Sequence, residues 1–290
     1  MRPYITTLLS VLASLALAGA ACAQAPAGGT ANDLVRRVIK NEDHANAANE
    51  RYMYKLRSEK PERSVVKQMI ETNDGVVARL IAVNDKPPTA EQRAADDRKL
   101  DKLVNDPDER RDRMQEQKKD EERGKMMVKA LPDAFLYVYD GEETINGVRV
   151  TRLAFKPNPD FDPPSRETLV YRGMKGHLWV EPKAERLVRI EADLFEDVTF
   201  GWGILGHLDK GGHFAVEQSD IGDGRWETTR MHLDFTGRAL LFKAIKIKET
   251  EVTSDFHKVP ANLTLTQGVE MLRRSDQYVA QSAAAGRQGR

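Results

Sequence analysis

Apolar residues form a nearly continuous block from Ile5 to Ala18, and beyond it they become periodic. Leu34, Val35, Val38 and Ile39 recur at helical spacing. Thr30 and Asp33 supply a capping box, so the spacing predicts a helix running to about Asn49 and docking by one apolar stripe. From Arg51 to Asn84 the period falls to two, with Tyr52, Tyr54 and Leu56 alternating with polar residues. Strands are predicted there and over Ser64 to Thr72 and Gly75 to Val83, the last two joined by the Asn73-Asp74-Gly75 turn.

After Ala134 the alternation returns. Phe135, Tyr137 and Tyr139 mark a strand that a turn at Asp140-Gly141 should end, and Val148 to Lys156 is the next. The proline-rich stretch Pro157 to Pro164 is excluded from central strand positions. Gly176 to Glu181 and Leu187 to Phe195 read as a hairpin whose apolar face holds Leu178, Val180, Val188, Ile190, Ala192 and Leu194. Further strands are predicted at Phe214 to Ser219, Arg225 to Phe235 and Leu240 to Thr253. Their turns are expected at Asp220 to Gly224 and at Thr236-Gly237-Arg238. The connections are too short for parallel crossovers, so the sheet must be antiparallel with one wet face. A final helix is expected from Val269 to Tyr278, and Ala280 to Arg290 reads as a disordered tail.

Between Asp85 and Lys125 the pattern is different: 25 of 41 residues are charged, 12 basic and 13 acidic. Pro107 divides the stretch into two solvated helices, about Thr89 to Asn105 and Asp108 to Ala130. An exposed helical hairpin is the simpler reading; a lid over a cavity, or an arm for a partner, is the sharper one.

Composition changes the picture at the N-terminus. Arg2, the apolar block and Ala20-Ala21-Cys22-Ala23 follow the order of a cleavable secretory leader, with cleavage expected after Ala23 and a periplasmic destination. Lipidation at Cys22 is the rival reading, although Gly19 stands where a leucine-like residue is usual. The expected organisation is then a leader over 1–23, a linker over 24–29, one domain over 30–279 with a charged insert at 85–130, and a tail over 280–290. Cys22 is the only cysteine, so the mature chain of about 267 residues offers no disulfide, thiol nucleophile or cysteine ligand. The formal charge of +0 gives no electrostatic footprint for nucleic acid, and no transmembrane segment is expected in the mature chain.

Chemical motifs are sparse. Gly201-Trp202-Gly203-Ile204-Leu205-Gly206 matches a dinucleotide fingerprint, but another alternating strand follows where that fold needs a helix. Gly201 to Gly212 is therefore expected to be a flexible rim loop. The six histidines are scattered, without H-E-x-x-H spacing. His207 and His213, with an acid such as Asp209, leave a hydrolase site near 201–213 as a remote option. No catalytic residue, metal or cofactor is assigned.

Trp179-Val180-Glu181-Pro182-Lys183 and the returning strand Leu187-Val188-Arg189-Ile190-Glu191-Ala192, with Phe256 to Pro260, resemble the superfamily of periplasmic lipoprotein carriers and outer-membrane lipoprotein-sorting proteins (LolA/LolB-like). The resemblance implies a β-dominated α+β fold: an antiparallel, unclosed β half-barrel covered by helices, here with a charged helical hairpin inserted. It also implies a cavity for acyl chains or another lipid. Tyr52, Tyr54, Phe135, Tyr137, Leu178, Val180, Ile190, Trp202, Met231, Leu233 and Phe235 are the residues that would line it, or that would form an ordinary core. The functional expectation is a non-enzymatic periplasmic carrier or binding protein for a lipid or lipidated protein. The alternative is an envelope scaffold that meets another protein through a sheet edge or the charged hairpin.

Overall fold

A computed structural model describes residues 29–46, 50–200, 206–239 and 243–274. The expected leader, the tail and Trp202 lie outside the described residues. Helix α1 (Ala31–Asn46) is followed by β1 (Arg51–Lys60), β2 (Arg63–Thr72) and β3 (Gly75–Val83). The helices α2 (Ala90–Asn105) and α3 (Pro107–Ala134) come next. Strands β4 (Phe135–Ile145), β5 (Val148–Pro157), β6 (Met174–Glu181) and β7 (Arg186–Leu194) follow, with a 3-10 turn at Glu167–Gly173 before β6. The last described elements are β8 (Val198–Phe200), β9 (Gly206–Leu208), β10 (His213–Asp220), β11 (Trp226–Ala239), β12 (Lys243–Val259) and helix α4 over residues 265–274.

All strands join one antiparallel, unclosed sheet in the order β3-β2-β1-β12-β11-β10-β7-β6-β5-β4, with β8 and β9 hanging from β11. The fold is thus the expected β-dominated α+β half-barrel. Thr30 and Asp33 cap α1 reciprocally at 3.1 and 3.0 Å, and Thr89 with Gln92 does the same for α2.

Two predicted turns are strand interiors instead. Strand β4 runs on past Asp140-Gly141 through an irregularity between Tyr139 and Glu142. The reversal comes at Asn146-Gly147, whose φ values of 50° and 82° suit a two-residue hairpin. Gly237 likewise pairs within β11, to Ile245 on one side and Leu208 on the other. A Cβ there would lie 2.1 Å from the His207 carbonyl oxygen, so the glycine admits β9 rather than turning the chain. Gly206–Leu208 is accordingly strand, not rim loop, and β12 continues to Val259, beyond the predicted end at Thr253.

The concave face is filled at one end. There α1 lays Leu34, Val35, Val38 and Ile39 on β4–β7, and α3 contributes Ala130, Leu131 and Ala134. Arg186 and Glu42 form a buried ion pair at 3.0 Å that fastens α1 to β7. On the convex face, α2 and α4 cover Ile70 and Val77 with Leu100, Leu103, Val269 and Leu272. A smaller convex cluster of Val150, Trp179 and Val188 places Trp179 and Val188 together, because the β6–β7 register shifts between Trp179 and Val180.

The helical hairpin therefore straddles the β3 edge, with α2 on one face and α3 on the other. Between them, side chains replace the missing neighbour strand. Gln117 accepts from the Val76 N–H at 3.0 Å and donates to its carbonyl at 2.9 Å, while Asp96 and Arg93 satisfy the N–H and C=O of Leu80 at 3.1 and 2.8 Å. At the opposite edge Asn32 of α1 accepts from the Tyr137 N–H at 3.1 Å and donates to the Phe135 carbonyl at 3.0 Å. Both ends of an open sheet are thus closed by a carboxamide that mimics a peptide group.

Candidate functional site

Towards β3 the concave face is not filled. Alternation puts Tyr54 and Leu56 of β1, Met69 and Glu71 of β2, and Val76 of β3 on this face, where β11 and β12 add Glu227, Met231, Glu251 and Phe256. The first two-thirds of α3 passes over them, contributing Met114, Gln117, Lys118, Glu121 and Lys125. The space beneath α3 has a volume of about 1190 Å³. Two smaller hollows of about 260 and 370 Å³ adjoin it. They share Tyr54, Glu71, Glu121, Lys125, Glu227 and Thr228 among them, which makes one continuous groove.

Aromatic packing fixes the floor. Tyr54 stacks on Phe256 at 5.3 Å between ring centroids, and Tyr52 meets the same ring edge-on at 6.4 Å. The Tyr52 hydroxyl donates to Glu50 at 3.1 Å, and the Arg225 guanidinium lies 5.8 Å over its ring. Apolar floor and charged mouth coexist because long side chains lay their stems on the aromatics and keep their heads in water.

Carboxylates inside the groove are partly withdrawn from water. Burial raises the pKa of Glu71 above the ordinary carboxylate value, helped by the charge of Glu227 and opposed by the Tyr52 N–H, which donates to Glu71 at 2.9 Å. Glu251 is raised by burial and by neighbouring Glu249. Burial, then Glu71, Glu227 and Glu251, push the Tyr54 phenol upward, so it stays protonated. Arg225 reaches Glu227 at 2.5 Å.

The residues predicted to line a cavity divide into two groups. Tyr54 and Met231 are in the groove, and Tyr52 supports its floor. Phe135, Tyr137, Leu178, Val180, Ile190 and Phe235 are buried in the packed cluster under α1 and α3, with Leu233 packed against it. There Phe135 lies 4.6 Å from Phe155 between centroids, and the Tyr137 hydroxyl donates to the Leu131 carbonyl at 3.0 Å. Met69, Val76, Met114, Gln117 and Phe256 were not among the residues expected to line a cavity. Pairing Tyr54 with Met69 across the hairpin register would have found the first of them.

His207 lies 3.2 Å from Asp209 and 3.7 Å from Asp197, whereas His213 bonds Asp193 at 2.8 Å. The two histidines lie on separate strands, β9 and β10, and have separate acidic partners. Among the described residues no group of three or more His, Cys, Asp or Glu could hold a metal ion, and no helix is long and apolar enough to cross a membrane.

No family model matches the chain, and no curated protein matches it. Among solved structures it is similar to a DUF1329 family protein from Desulfovibrio piger, at 13% identity and a TM-score of 0.27 over 78% of this chain and 90% of the other. It is similar to a LolA superfamily protein from Nitrosomonas europaea at 11% identity and a TM-score of 0.29, covering 80% and 96%. A domain provisionally named as outer membrane lipoprotein-sorting, from Vibrio parahaemolyticus, matches at 8% identity and 0.28, covering 77% and 93%. At these scores no residue or ligand is transferred from them.

Proposed function

We propose that this chain is an exported, non-enzymatic binding or carrier protein that holds the apolar part of a lipid, or of a lipidated partner, in the groove beneath α3. One observation carries the reading. The same concave face that is packed under α1 is left open for about 1190 Å³ under α3, with Tyr54, Met69, Val76 and Met114 on its walls among charged residues such as Glu71, Lys118, Glu121 and Arg225. A groove with an apolar floor and charged walls, kept open at the cost of packing, is accounted for by an occupant with an apolar part and a polar head. Methionine, flexible and polarizable, suits a ligand of variable shape.

The direct test is mass spectrometry of an organic extract from protein purified without detergent after export by a bacterial host. A stoichiometric lipid or fatty acid is expected, and Met69→Trp, which narrows the groove, should lower its content several-fold. An empty extract together with no uptake of added oleate by native mass spectrometry would sink the proposal. A second reading, an envelope scaffold, draws support from terminal strand β4, where Leu136 is 40% and Val138 61% exposed. If that exposed face of β4 binds a protein, Val138→Lys should abolish the complex and leave the lipid content unchanged.

A further inference from the structure

At the end remote from the groove, β11 and β12 carry a surface of a different kind. The groove uses Glu227 to Met231 of β11 and Glu251 to Phe256 of β12. The two strands then run on together to the pair Ala239↔Lys243. From Phe235 to Lys248 the chain holds Arg238, Lys243, Lys246 and Lys248 and no acidic residue, in a protein whose formal charge is +0. Cross-strand pairing sorts these residues by face. Lys246 pairs with Thr236, Lys248 with Asp234 and Arg238 with Ala244 on one side, while Lys243 pairs with Ala239, Ile245 with Gly237 and Ile247 with Phe235 on the other. Lys243, Lys246 and Ile247 are exposed, Ile247 at 38%. Among the described residues Lys248 alone of the four cations has an acidic partner, Asp234 at 2.8 Å.

A hairpin end that combines exposed cations on both faces with exposed isoleucine on one of them matches one kind of surface in both respects. Anionic headgroups complement the cations, and the acyl boundary accepts the isoleucines. A polyanion would use only the charge, and an apolar protein groove only the isoleucines. We propose that this end of the β11–β12 hairpin docks the protein on an anionic lipid surface. Its residues are separate from those of the groove, so either proposal can fail without the other.

The test is flotation of the exported, processed protein with vesicles of phosphatidylcholine alone or mixed with phosphatidylglycerol. Binding is expected to the mixed vesicles, to fall steeply at about 0.5 M salt and to be weak on phosphatidylcholine alone. Each neutralised cation should lower affinity about five-fold. The triple variant Arg238→Gln/Lys243→Gln/Lys246→Gln should thus bind roughly 100-fold more weakly. Ile247→Ser, which leaves every charge in place, should weaken binding at high salt. Because all variants share one N-terminus, anchoring by the leader region or by a lipid on Cys22 would appear equally in each. Equal binding to both vesicle types, or wild-type affinity in a triple variant with unaltered circular dichroism, would overturn the proposal. If the triple variant misfolds, the single Lys246→Gln change, on an exposed side chain, replaces it with an expected five-fold loss.

Discussion

Between Arg111 and Lys125, helix α3 crosses the open groove, and Gln117 ties it to the sheet by two hydrogen bonds with the Val76 peptide at 3.0 and 2.9 Å. Arg113 adds a longer contact of 3.5 Å to the same carbonyl. Gln117→Ala removes both short bonds. Each neutral hydrogen bond contributes about 0.5–1.5 kcal/mol net, and water can enter this side of the groove to replace them. The expected loss is therefore about 1–2 kcal/mol, or roughly 5–30-fold in the equilibrium for lifting α3 off β3. Native-state hydrogen exchange reads that equilibrium directly. The Val76 amide and the amides from Met114 to Gly124 should exchange faster by this factor, while those of Ile70 and Val150, both fully buried, keep their wild-type rates. Gln117→Glu should fall between, because a carboxylate still accepts from the Val76 N–H but cannot donate to its carbonyl. Unchanged exchange at Val76 would show that the helix is held by something else. An equal acceleration at Val150 would mean global destabilisation, and the roof would have no independent motion.

Arg186 and Glu42 are both nine-tenths buried, and the Arg186 Nε has no hydrogen-bond partner among the described residues. Arg186→Met should cost about 3–5 kcal/mol by stranding the carboxylate, whereas Glu42→Leu/Arg186→Met should cost less than that single change. Additive losses in urea midpoints would refute this. Glu71 is held above its ordinary pKa by burial, so the folded state binds that proton more tightly than the unfolded chain does. The resulting stability is present at low pH and is lost as pH rises through the folded-state pKa. Glu71→Gln should therefore match the wild type in acid and melt at a higher temperature at pH 7; a lower melting point at pH 7 would contradict the assignment.

Most strands could be read from sequence because one face is apolar and the other wet, and that alternation is a local property. The two misplaced turns were not legible, since Gly141 and Gly237 look like turn glycines until the partner strands are known. Gly237 is explained by the approach of His207, 30 residues earlier in the chain. For the site, alternation put Tyr54 and Phe135 on the same concave face, but nothing local says which will be covered by a helix. Met114 and Gln117 were hidden for the opposite reason: in a helix so rich in charge, the few residues that face the groove leave no apolar stripe.

The pairing of β1 with β12 bears on the order in which the molecule can form. Strands β1–β3 reach the rest of the sheet only through β12, as when Arg51 meets Val259 and Glu59 meets Thr250. Contacts of such sequence separation form late and slowly. A chain emerging from its N-terminus cannot complete the sheet until residue 259 is available, and until then its first three strands stand alone beside an unfinished partner. That delay leaves the polypeptide threadable, the state that the proposed export would require.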